Sequence, residues 1–155
     1  MDAEPLLRFL HVAGATVLLG TGAGITFFML MAHRTGNAAT IAAVARMVVL
    51  ADMLFTATAV VAQPVTGLWL AHVTGWSLRE GWLMLAIGLY ILTGFFWLPV
   101  VWIQMQIKTL AEQAVKTGEP LPPRYFRLFT IWLLCGGPAF AAVLAILWLM
   151  VNRPV

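Results

Sequence analysis

Apolar residues fill this chain in four long blocks, with polar residues gathered in the short gaps between them. A membrane-crossing helix needs roughly 20 apolar residues at ~1.5 Å rise each, and all four blocks are long enough. They predict helices over about residues 5–32, 38–72, 78–114 and 123–151. Pro5 suits the first turn of helix 1, where a missing backbone N–H costs nothing, and "HRTGN" ends that helix. Helix 2 should be interrupted at "AQPVTG", because Pro64 removes a backbone donor. Helix 3 contains Pro99, and helix 4 carries "CGGP" in its middle. The gaps "HRTGN", "VTGWS" and "KTGEPLPP" are short and rich in Gly and Pro. Short connections make consecutive helices antiparallel, which gives an all-α, up-down four-helix bundle occupying 1–155 as one transmembrane domain. The amphipathic stretch "QMQIKTLAEQAVK" should continue helix 3 beyond the bilayer.

Composition narrows the class. The chain is 62% hydrophobic and 10% charged, whereas a soluble domain carries about a quarter charged residues to cover its surface. The expected solvent is therefore the lipid bilayer. The net charge of +3 is small, and the basic residues stand at the ends of apolar blocks, which suits lipid headgroups and not nucleic acid. Cys135 is the single cysteine, so no internal disulfide or cysteine metal cage forms. The start "MDAEP" is acidic, and the first apolar block exceeds the roughly 7–15 residues of a signal-peptide core, so helix 1 is expected to be retained. Arg8, Arg79 and Arg153 lie on the side of the termini, while Arg34, Lys108, Lys116, Arg124 and Arg127 lie opposite, with Arg46 slightly inside. The positive-inside rule then puts both termini of a multi-pass protein on the periplasmic or extracellular side.

Small residues mark close helix approaches, since apolar burial alone does not drive association in lipid. Gly14, Gly20, Gly22 and Gly24 in helix 1, and Gly136, Gly137 and Ala139 in helix 4, are expected to pack the bundle or to leave a groove for a flat cofactor. Trp69, Trp76, Trp82 and Trp148 read as an interfacial belt, with Trp97, Trp102 and Trp132 deeper or toward the other side. His33 and His72 read as interface residues.

The polar residues inside the apolar blocks are the candidate chemistry, because each is costly in hydrocarbon. His11 lies about two turns below the surface that carries the termini, and Gln63 falls at a similar depth on helix 2. Asp52, Thr56 and Gln63 are spaced by four and seven residues and so share a face, with Thr66 near the same stripe. Pro64 frees the carbonyl of Val60, which needs another donor in lipid. Asp52 is near the midplane, where an ionised carboxylate costs roughly 2.5–3.5 kcal/mol. Arg46 adds a cation that is expected to snorkel to the nearer boundary. Phosphate loops, zinc-protease motifs and nucleophile elbows do not occur in this sequence.

"LRFLHVAGATVLLGTGAGITFFMLMAHR", "VARMVVLADMLFTATAVVAQPVTG", "FFWLPVVWIQMQI" and "LPPRYFRLF…GGPAFAAVLAILWLMV" together resemble a family of small bacterial four-helix integral membrane proteins of unassigned function. The layout is more distantly similar to the membrane-bound, haem-dependent protoporphyrinogen oxidases and to copper-resistance membrane proteins. Leu10-His11, the basic end His33-Arg34, Arg127, Pro138 and Arg153-Pro154 carry that likeness. The resemblance implies His11 as an axial ligand of haem b. The helix 3 lysine of the oxidases has Ala86 at its place, and "CGG" stands where they carry an Asn-Glu pair, so the likeness implies the ligand without the porphyrinogen-oxidising activity.

Three functions follow as expectations. The first is haem binding with a redox or tetrapyrrole-related role, with His11 as axial ligand of a five-coordinate haem or of one with a weak second ligand such as a Gln63-held water. The second is a non-enzymatic subunit or assembly module that binds another membrane protein or forms a homo-oligomer. The third is a small-solute or proton path along Asp52, Thr56 and Gln63.

Overall fold

The computed structural model describes residues 3–153. Its helices are α1 (Ala3–Arg34), α2 (Ala38–Val73), α3 (Gly81–Thr117) and α4 (Pro123–Asn152), with no strand among the described residues. All four are long and apolar enough to cross a membrane. Their outer surface is apolar as well: Phe95 is 73% exposed and Leu134 68%, as expected of side chains that face acyl chains. The upper end of the bundle holds the start of α1, the end of α4 and the 74–80 turn; the lower end holds the turns at 35–37 and 118–122.

Local chemistry sets the helix ends. The Asn37 side chain accepts from the Thr40 N–H at 3.0 Å and caps α2. α3 begins at Gly81 and not near 78, because the Ser77 hydroxyl accepts from the Arg79 N–H and the Ser77 carbonyl from the Glu80 N–H, holding a turn over 77–80. It then runs on to Thr117 and stops where Gly118 takes a left-handed φ of 71°, a conformation that glycine adopts without steric cost.

The expected interruption of α2 at "AQPVTG" does not occur: the helix continues through Pro64. The irregular turn lies lower, as a π-helical turn over Asp52–Thr56. There the Asp52 N–H is shared between the Val48 and Val49 carbonyls, and the Ala57 N–H reaches the Asp52 carbonyl. The proline is tolerated because the carbonyl it strands, that of Val60, accepts from the Tyr90 hydroxyl of α3. A bond from a neighbouring helix replaces the one lost within α2.

The four helices pack fully only in the lower half. Met29, Ile41, Ala45, Ile103, Ile107, Tyr125, Phe129 and Trp132 form one core there. The His33 ring stacks on Phe129 with centroids 3.8 Å apart and 7° between planes, and its Nδ1 lies 2.9 Å from the Tyr125 hydroxyl. This pairing fastens the foot of α1 to α4. Above it the bundle divides into an α1–α2 pair and an α3–α4 pair, rejoined at the top by a smaller cluster of Ala71, Trp82, Leu83, Ala86 and Leu149.

The glycines divide accordingly. A Cβ on Gly14 would stand 2.3 Å from Gln63 Nε2, and one on Gly67 2.8 Å from His11 Cε1. These two positions let α1 and α2 approach closely. Gly20, Gly24, Gly136 and Gly137 have open space where a Cβ would be, and Gly22 meets Phe140 at an ordinary 3.7 Å. The expected glycine packing of helix 4 is therefore absent within the described chain.

Candidate functional site

The division of the bundle leaves a groove of about 740 Å³ between the two helix pairs. Small-molecule and cofactor sites fall in the range of about 300–1,000 Å³. One face of each helix lines it. From α3 come Tyr90, Thr93, Trp97, Val100 and Gln104, a three–four alternation that keeps one stripe of the helix turned inward. From α4 come Trp132, Gly136, Gly137, Phe140 and residues above them. The exposed glycines of α4 and Gly22 of α1 thus form a wall where the pairs separate.

The upper part of the groove is organised around His11. Gln63, level with it on α2, donates from Nε2 to the His11 carbonyl at 2.8 Å. The ring itself bonds Thr66: Nδ1 lies 3.0 Å from its hydroxyl oxygen. That hydroxyl has one proton and directs it to the Ala62 carbonyl at 2.7 Å, so its oxygen accepts from His11. The proton of a neutral imidazole is thereby assigned to Nδ1, and Nε2 is left with its lone pair and no protein partner among the described residues. Gly67 provides the room for this ring against α2.

The lower part holds a different chemistry. Asp52 is 4% exposed, Thr56 7%, Gln104 5% and Trp132 3%. Asp52 Oδ2, Thr56 Oγ1, Trp97 Nε1, Gln104 Oε1 and Trp132 Nε1 are all buried without a hydrogen-bond partner, and all five residues line the groove. Thr56 and Trp97 neighbour the Asp52 carboxyl, yet neither closes a bond of ordinary geometry with Oδ2. The π-helical turn begins at Asp52 and ends at Thr56 and presents both side chains inward. Such turns recur at functional sites, because the extra residue re-aims side chains at the expense of regular bonding.

The sequence-derived residues sort clearly. His11, Gln63, Asp52 and Thr56 come together on the groove. Thr66 stands behind the His11 ring and does not line it. Arg46, grouped by sequence with the intramembrane polar residues, does not line the groove; it snorkels to the surface as expected, where its side chain is 61% exposed and pairs with Glu112 at 3.8 Å. A cation on that side of α2 reaches a carboxylate on the polar extension of α3 more cheaply than it enters the apolar interior. Tyr90, Trp97, Gln104 and Trp132 were missed. The α3 stripe was legible in its spacing, and Tyr90, nine residues into α3, could have been matched in depth to the carbonyl stranded by Pro64. His72 is exposed at the upper end, as expected of an interface residue. No group of three or more His, Cys, Asp or Glu side chains that could hold a metal ion occurs among the described residues.

A family model described as a predicted integral membrane protein, DUF2269, matches residues 5–154. The chain belongs to that family. Comparison with curated proteins and with solved structures gives no match. Membership in DUF2269 accords with the four spans and carries no activity, so a function for this DUF2269 chain has to be argued from the groove.

Tyr90→Phe leaves the Val60 carbonyl without its donor, and about 0.6–2 kcal/mol of stability should be lost. Pro64→Ala returns an N–H to α2 in reach of that carbonyl. Thermal unfolding in detergent should show the double variant losing less than Tyr90→Phe alone; strict additivity would show that the two groups are not coupled.

Proposed function

We propose that this protein binds haem in the upper part of the groove, with His11 Nε2 as an axial ligand. The observation that carries the reading is the relay Ala62 carbonyl–Thr66 hydroxyl–His11 Nδ1. Metal-binding histidines commonly donate their second ring N–H to an oxygen, which fixes both tautomer and ring orientation. The groove volume and its largely apolar lining suit a flat, hydrophobic ring. Gln63 would steady the ligand from the backbone side by holding the His11 carbonyl, and Gly67 would keep the ring upright. Haem held by one histidine supplies one-electron chemistry at its iron. The protein's own contribution would be a dry, shaped cavity and a neutral imidazole presented in a single orientation.

The absorption spectrum of protein purified from membranes tests this directly. A Soret band is expected, growing when the culture or the detergent extract is supplied with haem. Colourless protein that takes up no haem on supplementation would end the reading. The distribution of Lys and Arg further supports a bacterial cytoplasmic membrane with both chain ends outside.

A further inference from the structure

The groove opens to one side. Its far wall is made by α2 and α3, where Gln63 and Val100 are buried and Tyr90 is half-buried. Its near edges are α1 and α4, where Val12, Thr16 and Leu147 line the groove and are exposed as well. The upper cluster ties α4 to α2 and α3 and leaves α1 out. The mouth is therefore the gap between α1 and α4, and below the membrane surface it faces acyl chains.

A haem carries two propionate carboxylates on one edge. No Lys or Arg lines the groove among the described residues, and an ionised carboxylate is costly in the hydrocarbon outside the mouth. The acid edge must then point to the upper membrane surface. His11 lies eight residues below the start of α1, about 12 Å at ~1.5 Å rise each. Among the described residues the cationic side chains at that end are Arg8, Arg79 and Arg153. Arg79 belongs to the 74–80 turn over the far wall, and the Arg153 guanidinium is drawn to the same turn, 5.4 Å over the Trp76 ring. Arg8 stands at the mouth. Val12, Ala15 and Leu19 line the groove, and Arg8 continues their four–three spacing one turn higher on the same face of α1. Its exposed side chain pairs with Glu4, and a surface ion pair of this kind is exchanged at little cost. The planar guanidinium fork matches a carboxylate. We infer that Arg8 binds the carboxylate edge of the haem, so that the ring stands in the α1–α4 mouth with its acid edge toward the upper surface. The inference rests on the haem reading and adds to it an orientation and a selectivity for acid-bearing tetrapyrroles.

The test uses full-length protein from a strain that makes no haem, held in phosphatidylcholine nanodiscs. It is titrated with hemin and with hemin dimethyl ester, whose propionates carry no charge, and binding is read at the Soret maximum. Arg8→Gln should weaken hemin binding about five- to tenfold and leave binding of the ester unchanged. Arg8→Lys should recover part of that loss, because the charge remains and the fork does not. Glu4→Gln should tighten hemin binding about twofold, since it removes a carboxylate that competes for Arg8. Both positions are exposed, so the variants should melt with the parent. Hemin binding that Arg8→Gln leaves unchanged, or equal weakening of hemin and ester, would overturn the assignment and leave ligation by His11 standing. A parent protein that binds neither porphyrin would overturn both readings.

Discussion

His11→Ala should abolish the Soret band of the purified protein, and Thr66→Val should weaken haem retention about 10–100-fold without abolishing it. The two differ because they act at different points of one relay. The alanine variant removes the only imidazole that lines the groove among the described residues. The valine variant keeps the imidazole but deletes the oxygen that accepts from Nδ1 at 3.0 Å. The ring can then rotate or carry its proton on Nε2, where it blocks ligation. Haem titration of detergent-solubilised protein, followed at the Soret maximum, reads both effects. Valine resembles threonine in shape, so Thr66→Val tests the hydrogen bond with little change in packing. If Thr66→Val bound haem as tightly as the parent, the relay would have no part in holding the ligand. If His11→Ala retained a full Soret band, the iron would be held elsewhere.

The second large effect is expected from single methyl groups on the α1–α2 contact. Gly67→Ala places a carbon 2.8 Å from His11 Cε1, and Gly14→Ala places one 2.3 Å from Gln63 Nε2. Side chains must move in both cases, and the atoms that must give are those that order the upper groove. Moving the His11 ring strains its bond to Thr66, and moving the Gln63 amide strains its bond to the His11 carbonyl. Overpacking of this kind costs about 1–3 kcal/mol, so each variant should melt lower in detergent and should also take up less haem. Gly20→Ala and Gly24→Ala meet open space and serve as controls on α1. Equal losses at all four positions would trace the effect to backbone flexibility and not to the helix contact.

Much of the architecture was legible from apolar block length alone. Lipid offers no partner for a backbone N–H or C=O, so any block of sufficient length that crosses it as a single segment must do so as a helix. Four such blocks joined by short turns leave little freedom of topology. The pairing of His11 with Gln63 was legible too, because depth along two antiparallel helices follows from residue count. The same arithmetic would have reached Tyr90 had it been applied to α3. That Arg46 snorkels to the surface was legible as well; its partner was not, since Glu112 lies distant in sequence on another helix.

The sequence by itself determined that this is a four-helix membrane bundle, with His11, Asp52, Thr56 and Gln63 turned inward, because the cost of polar groups in hydrocarbon leaves them few other places. Only the tertiary structure decided that the helices separate into two pairs in the upper half, that a groove opens there, and that α3 and α4 supply Trp97, Gln104 and Trp132 to its floor. Those outcomes depend on which faces meet. In lipid, where apolar side chains gain little by leaving their surroundings, that choice rests on close packing and a few interhelical hydrogen bonds that no local pattern encodes.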